Sequence, residues 1–308
     1  MTLASRFKPR RELGRTGFPV TLLGAGDLAD RSVPLETCVA TLRRALDAGL
    51  NVVDTAPSYE DGYSERIVGR ALQGRRDGVF LIDKIDHLDE PVLPQVEVSL
   101  EHLGTTPDLL VFHGVSSLDA WQRLARPGGP FDELAAVIQA GKARFRGISC
   151  HHPDVLTRAI PSGLCDVVMF PVGPFVDIRY VDEALPLARQ FGVGTVCFKA
   201  FGAGKLLGDT SGYGRALEGR PRGKVSSGGT DRDEAPLLAH LSVSDCLDYT
   251  LSCDPDVSLL GLSFPNEQDA AFAAAEGFRR RSAGELAEIR ERAVVAMRDK
   301  GPAWWNPA

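Results

Sequence analysis

The stretch NVVDTAPSYEDGYSERIVGRALQGRRDGVFLIDK, residues 51–84, contains the repeat from which the fold can be inferred. Two short apolar runs, Asn51–Asp54 and Gly78–Lys84, flank Ser64–Leu72, in which apolar residues recur at helical spacing. Runs that are apolar at nearly every position are typical of strands covered on both faces, as in parallel sheets. The stretch therefore predicts a strand, a helix and a second strand parallel to the first.

The same alternation continues in both directions along the chain. Strand-like runs occur at Val20–Ala25, Asn51–Asp54, Gly78–Lys84, Leu109–His113, Phe145–Ser149, Val167–Pro171, Gly194–Lys199 and Val257–Leu262. Helical spacing occurs in Leu35–Ala48, Ser64–Leu72, Pro91–Leu103, Leu118–Ala140, Pro153–Ile160, Val181–Phe191 and Pro236–Ser252. So many units in 308 residues favour a closed (β/α)8 TIM barrel over an open doubly wound sheet, because open sheets usually contain fewer strands. We therefore predict the α/β class, with one barrel domain over residues 1–308.

Three segments lie outside this repeat. Phe7–Val20 contains a glycine-rich turn between two extended runs and predicts a hairpin ahead of the barrel. Lys205–Glu234 is rich in Gly, Ser, Arg and Asp, and a loop of that length inside a domain is usually functional. Ala283–Lys300 predicts an additional C-terminal helix, and an apolar tail with Trp304 and Trp305 follows it.

Composition narrows the class of protein. Hydrophobic residues make up 44% and charged residues 25% of the chain, as in ordinary globular domains. The net charge is −6 and no basic stretch is dense, which argues against a nucleic-acid partner. Met1–Arg11 lacks the apolar core of a signal peptide, and no run reaches the roughly 20 apolar residues that a membrane span needs. We expect a cytoplasmic protein whose partner is a small molecule. The six cysteines lack metal or disulfide spacing and are expected to be reduced thiols.

Polar side chains stand at the ends of three successive predicted strands. Asp54 ends the second strand and Tyr59 follows it, Lys84 ends the third strand, and His113 ends the fourth. Each residue alone is more often a turn, a surface charge or a structural histidine. Active-site groups of such barrels lie at the carboxyl ends of the strands, however, so all four are expected at one mouth.

These four residue types are suited to carbonyl chemistry. Reduction of a carbonyl needs a proton donor beside the oxygen while a hydride reaches the carbon. A tyrosine has an ordinary pKa of about 10, and a nearby ammonium favours the phenolate. Lys84 can supply this charge for Tyr59, Asp54 can hold Lys84, and His113 can orient the carbonyl oxygen.

Several motifs together resemble the aldo-keto reductase family, from about Leu13 to about Ala275. They are DTAPSY at 54–59, SE at 64–65, GRAL at 69–72, SLEHLG at 99–104 and GKARFRGIS at 141–149. The resemblance implies that Tyr59 is the acid, that Lys84 and Asp54 adjust its pKa and that His113 orients the substrate. It also implies a nicotinamide dinucleotide that lies extended across the mouth of the barrel.

The same resemblance implies a set of cofactor-binding residues. Ser149 and Cys150 would hold the carboxamide, and the ring of Phe198 would stack on the nicotinamide. The remaining positions are Gly26 and Asp27 in the first loop; Ala200, Phe201, Gly202, Gly204, Lys205 and Leu206 at the pyrophosphate; and Gly261, Leu262, Ser263 and Gln268 at the adenosine end. The glycine turns alone would indicate only turn chemistry.

The sequence departs from the family pattern at several positions. Glu60 stands where the family usually has Gly, and Cys150 stands where Asn is usual. Gly173 stands where an amide side chain is common. His151 and His152 follow near the mouth; a metal site there is conceivable but lacks a ligand pattern, so we predict no metal.

Cofactor choice and activity leave alternatives open. A 2′-phosphate usually needs Lys or Arg, and Ser263–Gln268 contains neither, whereas Arg279–Arg281 and basic residues of the long loop lie elsewhere. NADP(H) is the commoner cofactor of the family and is favoured slightly over NAD(H). An active oxidoreductase is favoured over a cofactor-binding regulatory or partner subunit and over a lyase that forms a Schiff base on Lys84. The substrate, the reaction direction and the oligomeric state do not follow from the sequence.

Overall fold

A computed structural model describes residues 5–207 and 239–307 of the chain. An antiparallel hairpin of β1 (Arg11–Glu12) and β2 (Pro19–Val20) precedes a closed barrel of eight parallel strands. The barrel strands are β3 (Leu23–Ala25), β4 (Val52–Asp54), β5 (Phe80–Ile85), β6 (Leu109–Phe112), β7 (Phe145–Ser149), β8 (Val167–Pro171), β9 (Gly194–Phe198) and β10 (Val257–Leu260). Each strand pairs with the next along the chain, and β10 pairs with β3. The predicted (β/α)8 barrel and the hairpin are confirmed.

Helices surround the barrel. They are α1 (Leu35–Asp47), α2 (Tyr63–Leu72), α3 (Val92–Leu103), α4 (Leu118–Ala125), α5 (Pro130–Gln139), α6 (Pro153–Ala159), α7 (Leu185–Phe191), α8 (Val243–Ser252), α9 (Pro265–Glu276) and α10 (Ala283–Ala296). The last of these, α10, is the additional C-terminal helix that the sequence predicts. Within the described ranges, none of the helices has the combination of length and apolar character that a bilayer span requires.

The interior of the barrel is filled with apolar side chains, among them Val52, Ile82 and Val111. Successive residues of a strand point to opposite faces. The next inward position after Val52 is therefore Asp54, and the next after Ile82 is Lys84. The two polar side chains lie where the packed interior ends and the mouth begins.

The hairpin lies across the other end of the barrel. Leu13 and Val20 join the interior apolar cluster and are fully buried. Gly14 has a φ of +46°, and a Cβ atom there would lie 2.2 Å from the backbone nitrogen of Gly194, the first residue of β9. The backbone of the hairpin is thus pressed against the amino end of a barrel strand, opposite the mouth.

Two predicted elements are divided in the structure. Val20–Ala25 is not one strand: Val20 pairs with Arg11 in the hairpin, and only Leu23–Ala25 enters the barrel. The predicted helix Leu118–Ala140 is also wrong, because Arg126 is extended and Gly128 has a φ of +71° between α4 and α5. Glycine tolerates that conformation, which ends a helix.

Other boundaries move by a few residues. Helix α7 follows a π-helical turn at Tyr180–Ala184, so the predicted segment Val181–Phe191 is not uniformly α-helical. The predicted helix Pro236–Ser252 begins at Val243 in the structure. Its residues 236–238 and the predicted loop beyond Leu207 lie outside the described residues.

Candidate active site

Lys84 and Asp54 form a buried ion pair at the mouth of the barrel. The Lys84 ammonium donates to Asp54 Oδ1 and to the carbonyl oxygen of Thr55, each at 2.6 Å. Both side chains are at most 5% exposed. Burial lowers the pKa of Lys84, but Asp54 and Tyr59 together raise it more, and the net shift is upward. Lys84 is therefore held as a cation.

Tyr59 lies directly beside this cation. The Lys84 Nζ atom is 4.5 Å from the centroid of the Tyr59 ring, and the edge of that ring meets His113 at a centroid distance of 5.7 Å. Burial raises the pKa of Tyr59 more than the Lys84 charge lowers it, so the expected effect of Lys84 is present but the net shift is upward. The protein's own groups therefore hold Tyr59 as a protonated phenol.

The loop that carries Tyr59 has a strained backbone. Glu60 and Asp61 have φ values of +51° and +54°, in the left-handed region that glycine adopts most easily, and Gly62 follows at +74°. The guanidinium of Arg31, from the loop after β3, donates to the Glu60 carbonyl oxygen at 2.7 Å and to Asp61 Oδ2 at 3.0 Å. The family's usual glycine at position 60 is thus explained, and Arg31 contacts the loop where glycine is missing.

His113 is held by Asp86, which was not among the predicted site residues. Its backbone N–H donates to Ile85, and its Nδ1 atom forms a short hydrogen bond with Asp86 Oδ1. Asp86 Oδ2 accepts from the backbone N–H of Ser58, at 2.7 Å, beside Tyr59. Burial raises the pKa of Asp86, but the hydrogen bonds from His113 and Ser58 outweigh burial and the net shift is downward.

Since an ionised carboxylate only accepts hydrogen bonds, Nδ1 of His113 carries the proton and Nε2 is left for a ligand. One signal in the sequence could have revealed Asp86. It lies two residues after Lys84, on the same face of the strand by the alternation of side chains.

The predicted nicotinamide end is built from the ends of β7 and β9. Ser149 is buried at the end of β7 and Phe198 is half-buried at the end of β9. His151 packs between Phe198 and Trp304, with ring centroids 5.2 and 5.1 Å away. The Cys150 thiol contacts the backbone of His152, and burial raises the pKa of the thiol to about 12. The missing amide at position 150 is therefore not replaced by an available polar group.

The first loop and the end of β10 adjoin at the mouth. The Gly26 N–H donates to the Leu260 carbonyl oxygen at 2.8 Å. A Cβ atom on Gly26 would lie 3.4 Å from that oxygen, and one on Gly261 would lie 3.6 Å from the Asp27 carbonyl oxygen. Asp27 Oδ1 accepts from the N–H of Ala29. The predicted cofactor residues of the two loops are thus brought together as a strip of nearly bare backbone.

In the predicted pyrophosphate loop, several backbone N–H groups donate to carbonyl oxygens of the loop itself. The N–H groups of Gly202 and Gly204 donate within the loop, and so do those of Lys205 and Leu206. Lys205 is buried and its ammonium donates to the Pro302 carbonyl oxygen at 2.8 Å, while Leu206 is fully buried in the apolar core. The side chains of Lys205 and Leu206 therefore hold the C-terminal tail and the core. Ala200 is also buried, and Phe201 is partly exposed.

The predicted adenosine end lies at the start of α9. Leu262 is buried and Ser263 half-buried ahead of this helix. Gln268 is fully buried; its amide donates to the Thr41 carbonyl oxygen at 2.8 Å and accepts from Arg44 at 2.9 Å. The Gln268 side chain is thus committed to the protein and supports the first turn of the helix instead of facing the mouth.

Metal ligation has no support among the described residues. Over ranges 5–207 and 239–307, no three His, Cys, Asp or Glu side chains are grouped as a metal site would require. His151 has a buried Nε2 atom without a hydrogen-bond partner there, and burial lowers its pKa to about 4. The His151 ring is therefore neutral near physiological pH.

Comparisons with known proteins agree with this geometry. The chain is 31% identical to L-galactose dehydrogenase of Arabidopsis thaliana over 216 residues, which cover 64% of this chain and 66% of the relative. It is 26% identical to the NADH-specific methylglyoxal reductase of Escherichia coli K12, again over 64% of this chain and 66% of the relative. In both cases the match spans just under two thirds of the relative's length.

A solved structure extends the likeness over nearly the whole chain. The aldo-keto reductase AKR11C1 of Bacillus halodurans, in its holo form, has 26% identity and a TM-score of 0.67, and the alignment covers 92% of this chain and 96% of that one. The family model described as the aldo/keto reductase family matches residues 22–242, well over half of the sequence. The resemblance inferred from the motifs is thus confirmed, and the chain belongs to the aldo/keto reductase family.

Proposed function

We propose that the protein is an NAD(P)(H)-dependent oxidoreductase that moves a hydride between nicotinamide and an aldehyde or ketone, or the corresponding alcohol. The observation that carries the proposal is the placement of Lys84 between Asp54 and Tyr59, with His113 at the edge of the phenol ring. Proton transfer to a carbonyl oxygen requires such a positioned acid. The names of the two relatives, a dehydrogenase and a reductase, support the same class of reaction.

The residues present at the mouth fit a dinucleotide. Gly26 and Gly261 expose backbone at adjoining strand ends, where side chains would fill the space. The half-buried ring of Phe198 offers a flat apolar surface, and Ser149 a hydroxyl, at the proposed nicotinamide position. When bound, the dinucleotide supplies or accepts the hydride.

In the direction of reduction, Tyr59 donates its hydroxyl proton to the carbonyl oxygen. Burial keeps Tyr59 protonated before this step. Lys84 remains a cation beside the phenolate that is left, because Asp54 and the Thr55 carbonyl oxygen satisfy its ammonium. In the direction of oxidation the Tyr59 phenolate takes the proton of the alcohol, and the Lys84 cation stabilises the phenolate before it does so.

His113 orients the carbonyl oxygen, and Asp86 orients His113. The hydrogen bond at Nδ1 fixes the plane of the ring and directs Nε2 away from Asp86. With Nδ1 protonated, Nε2 accepts from the hydroxyl of an alcohol substrate, and it donates to a carbonyl oxygen when it carries a proton as well. Asp86 also contacts the Ser58 N–H, so it joins the orienting residue to the loop of the acid. We infer that Asp86 is a positioning residue for His113.

The alternative of a Schiff base on Lys84 is disfavoured by the same geometry. An amine must lose its proton to attack a carbonyl. The pKa of Lys84 is raised, since Asp54 and Tyr59 outweigh burial, and two oxygens accept hydrogen bonds from two of its three N–H groups. Lys84 therefore serves as a fixed charge in this proposal.

The choice between NADP(H) and NAD(H) depends on which cations could bind a 2′-phosphate. Arg279, Arg280 and Arg281 form ion pairs with Glu285, Asp254 and Asp248, so these three cations already have acidic partners. We propose that both nicotinamide cofactors bind, with NADP(H) ahead as the family's commoner choice, while the E. coli relative is by name NADH-specific. The ratio of the Kd values for NADPH and NADH tests this order.

The test of the proposed function follows oxidation of NADPH, and separately NADH, with an activated aromatic aldehyde. Wild type should turn over, and Tyr59→Phe should lose about two or more orders of magnitude in kcat, the effect of removing a positioned acid. Tyr63→Phe is the matched control, because the Tyr63 hydroxyl donates to the Val33 carbonyl oxygen, away from Lys84.

Two outcomes would contradict the proposal. Equal rates for wild type and Tyr59→Phe would remove Tyr59 from the reaction. Binding of cofactor without turnover over a broad panel of carbonyls, in wild type as well, would favour a regulatory or partner subunit.

A further inference from the structure

Lys199 follows β9 directly and has an unusual backbone. Its φ is +69°, in the left-handed region that a lysine rarely adopts. Its carbonyl oxygen would lie 2.7 Å from a Cβ atom on Gly173, at the position where the family commonly has an amide side chain. The backbone of Lys199 therefore occupies the space beside Gly173, and the absence of the amide and the bend at Lys199 belong to one rearrangement of the mouth. Strained backbone of this kind is concentrated at functional sites.

The side chain of Lys199 extends over aromatic rings at the mouth. Its Nζ atom is 4.3 Å from the centroid of the Trp304 ring, 5.9 Å from that of Phe198 and 6.0 Å from that of Trp305. Phe198 is the ring proposed to stack on nicotinamide, so Lys199 lies within reach of bound ligands. The contacts with rings leave the hydrogen-bond donors of the ammonium unused.

Lys199 is half-buried, whereas the buried lysines among the described residues are satisfied by oxygen atoms. The ammonium groups of Lys84, Lys205 and Lys300 each donate to an oxygen, at distances of 2.6 to 2.9 Å. Throughout residues 5–207 and 239–307, no carboxylate or carbonyl oxygen lies within hydrogen-bond or ion-pair distance of the Lys199 ammonium. A sheltered cation without such a partner is costly unless a ligand supplies one.

Neighbouring charges leave Lys199 as a cation that attracts anions. Burial lowers its pKa to about 8, and Asp27 opposes this shift from a longer distance. His151, which packs on the same Trp304 ring, is neutral because burial lowers its pKa to about 4. Near neutral pH, Lys199 is therefore a cation within this aromatic cluster. Lys205, which lies 5.7 Å from the Trp305 ring centroid, already donates to the Pro302 carbonyl oxygen.

The C-terminal tail does not need Lys199 to hold it. The Trp305 indole N–H donates to the Phe175 carbonyl oxygen at 3.0 Å, and Lys205 donates to the Pro302 carbonyl oxygen. Lys300 donates in turn to the Lys205 carbonyl oxygen at 2.7 Å. These bonds fix the tail on its own, so the position of Lys199 calls for a different explanation.

We propose that Lys199 binds an oxyanion at the mouth of the barrel, either a phosphate oxygen of the dinucleotide or a carboxylate or phosphate carried by the carbonyl substrate. This inference rests on the proposed function for the identity of the ligands. In each case one negatively charged oxygen would contact the Lys199 ammonium beside the Trp304 ring. Because water is already partly removed from the ammonium, little further desolvation opposes such a contact.

The experiment uses the full chain as wild type, Lys199→Met, Lys199→Arg and Lys142→Met. Methionine keeps most of the length of the unbranched side chain without its charge, and arginine keeps the charge. Lys142 is the control, since it pairs with Glu97 at 3.3 Å at the amino side of β7. Thermal unfolding of each variant shows that it is folded, and tryptophan fluorescence reports binding.

Two arms distinguish the sources of the oxyanion. The first measures the Kd of NADPH and of NADH by quenching of tryptophan fluorescence. The second measures, with saturating cofactor, the Kd of benzoate against benzamide, and KM for 4-carboxybenzaldehyde against its methyl ester. A contact in either arm should weaken the anionic ligand by about tenfold in Lys199→Met, corresponding to the loss of one charge-assisted hydrogen bond. Lys199→Arg should retain most of the affinity, and neutral ligands and Lys142→Met should be unaffected.

An effect on dinucleotide Kd assigns the oxyanion to the cofactor, and an effect confined to the carboxylates assigns it to the substrate. Unchanged affinity for every anion in Lys199→Met overturns the inference, and a lowered Tm in that case assigns Lys199 to packing against Trp304. If wild type binds these anions through Lys199 but turns over no carbonyl, the inference stands and the proposed function fails.

Discussion

Strand β5 carries two ionisable side chains in succession, and their surroundings are opposite. Lys84 points into the mouth, where Asp54 and the Thr55 carbonyl oxygen accept its hydrogen bonds. Asp83 points outward, beneath the helices, and neither of its carboxylate oxygens has a hydrogen-bond partner among the described residues. Burial, together with the negative charge of Glu65 on α2, raises the pKa of Asp83 well above its usual range.

The difference shows two ways in which a protein accommodates a buried ionisable group. On the inward face a partner of opposite charge keeps Lys84 ionised, and the charge is then available to chemistry. On the outward face the charge lacks a partner, so the group is accommodated by protonation. The inward face of β5 should therefore control activity, and the outward face should control stability.

The largest effect is expected for Lys84→Met. Loss of the fixed charge should lower kcat by about two to four orders of magnitude. It also leaves Asp54 buried without a partner, which should cost about 3–5 kcal/mol in the free energy of unfolding. Urea unfolding and kcat measure the two effects separately.

A double variant, Lys84→Met with Asp54→Asn, sharpens this test. Removing both charges should restore much of the stability and none of the activity. Recovery of turnover in the double variant would show that the ion pair is only structural.

A smaller effect is expected for Asp86→Asn, at the next inward position beyond Lys84. The amide oxygen can still accept from Nδ1 of His113, but a hydrogen bond to a charged group, worth about 1.5–3 kcal/mol, becomes one to a neutral group. The amide NH2 then faces the Ser58 N–H. We expect kcat to fall roughly ten- to hundredfold, with cofactor Kd nearly unchanged and only a small loss of Tm. Asp86→Glu should recover part of the rate. A loss of Tm and of cofactor affinity in proportion to kcat would point to a general structural role.

The smallest effect on activity, and one of opposite sign on stability, is expected for Asp83→Asn. The folded protein holds a proton on Asp83 above the unfolded pKa near 3.8. The cost of burying Asp83 is therefore smallest below that pH. As the pH rises from there toward the raised pKa, the free energy of unfolding falls. Asp83→Asn should stabilise the protein near neutral pH by about 1–3 kcal/mol and leave kcat unchanged.

The measurement for Asp83→Asn is urea unfolding over a series of pH values. Taking the difference in the free energy of unfolding between variant and wild type cancels the contributions of the other carboxyl groups. As the pH rises, this difference should increase in favour of the variant. A difference that does not vary with pH would mean that Asp83 is ionised in the folded protein.

The sequence predicts the repeat of strands and helices because each unit has its own apolar pattern and its own turn. It fails where a feature depends on an interruption within such a pattern. The break between α4 and α5 is one case, since Arg126–Gly129 stands between two segments that share a helical period. The hairpin is another, because Val20 leaves the barrel to pair with Arg11 and the apolar run continues through it.

The candidate site is predictable to the extent that strand ends converge. Asp54, Lys84 and His113 are found from their positions in the strands alone. Asp86 was missed because the predicted strand stops at Lys84, whereas β5 continues to Ile85. The partners of Gln268 and Lys205 come from residues 227 and 97 positions away along the chain, and no local pattern indicates such contacts.

The two ends of the described chain lie at opposite ends of the barrel. The Phe7 N–H donates to the Ala48 carbonyl oxygen, between α1 and β4 at the closed end, whereas Trp304 packs on His151 at the mouth. A bulky label attached near Phe7 would therefore lie on the far side of the barrel from the proposed active site. The same label attached at Trp304 would lie against the rings that border the site and would restrict access of the substrate. For labelling and immobilisation, the end of the barrel that carries the attachment therefore affects the assay.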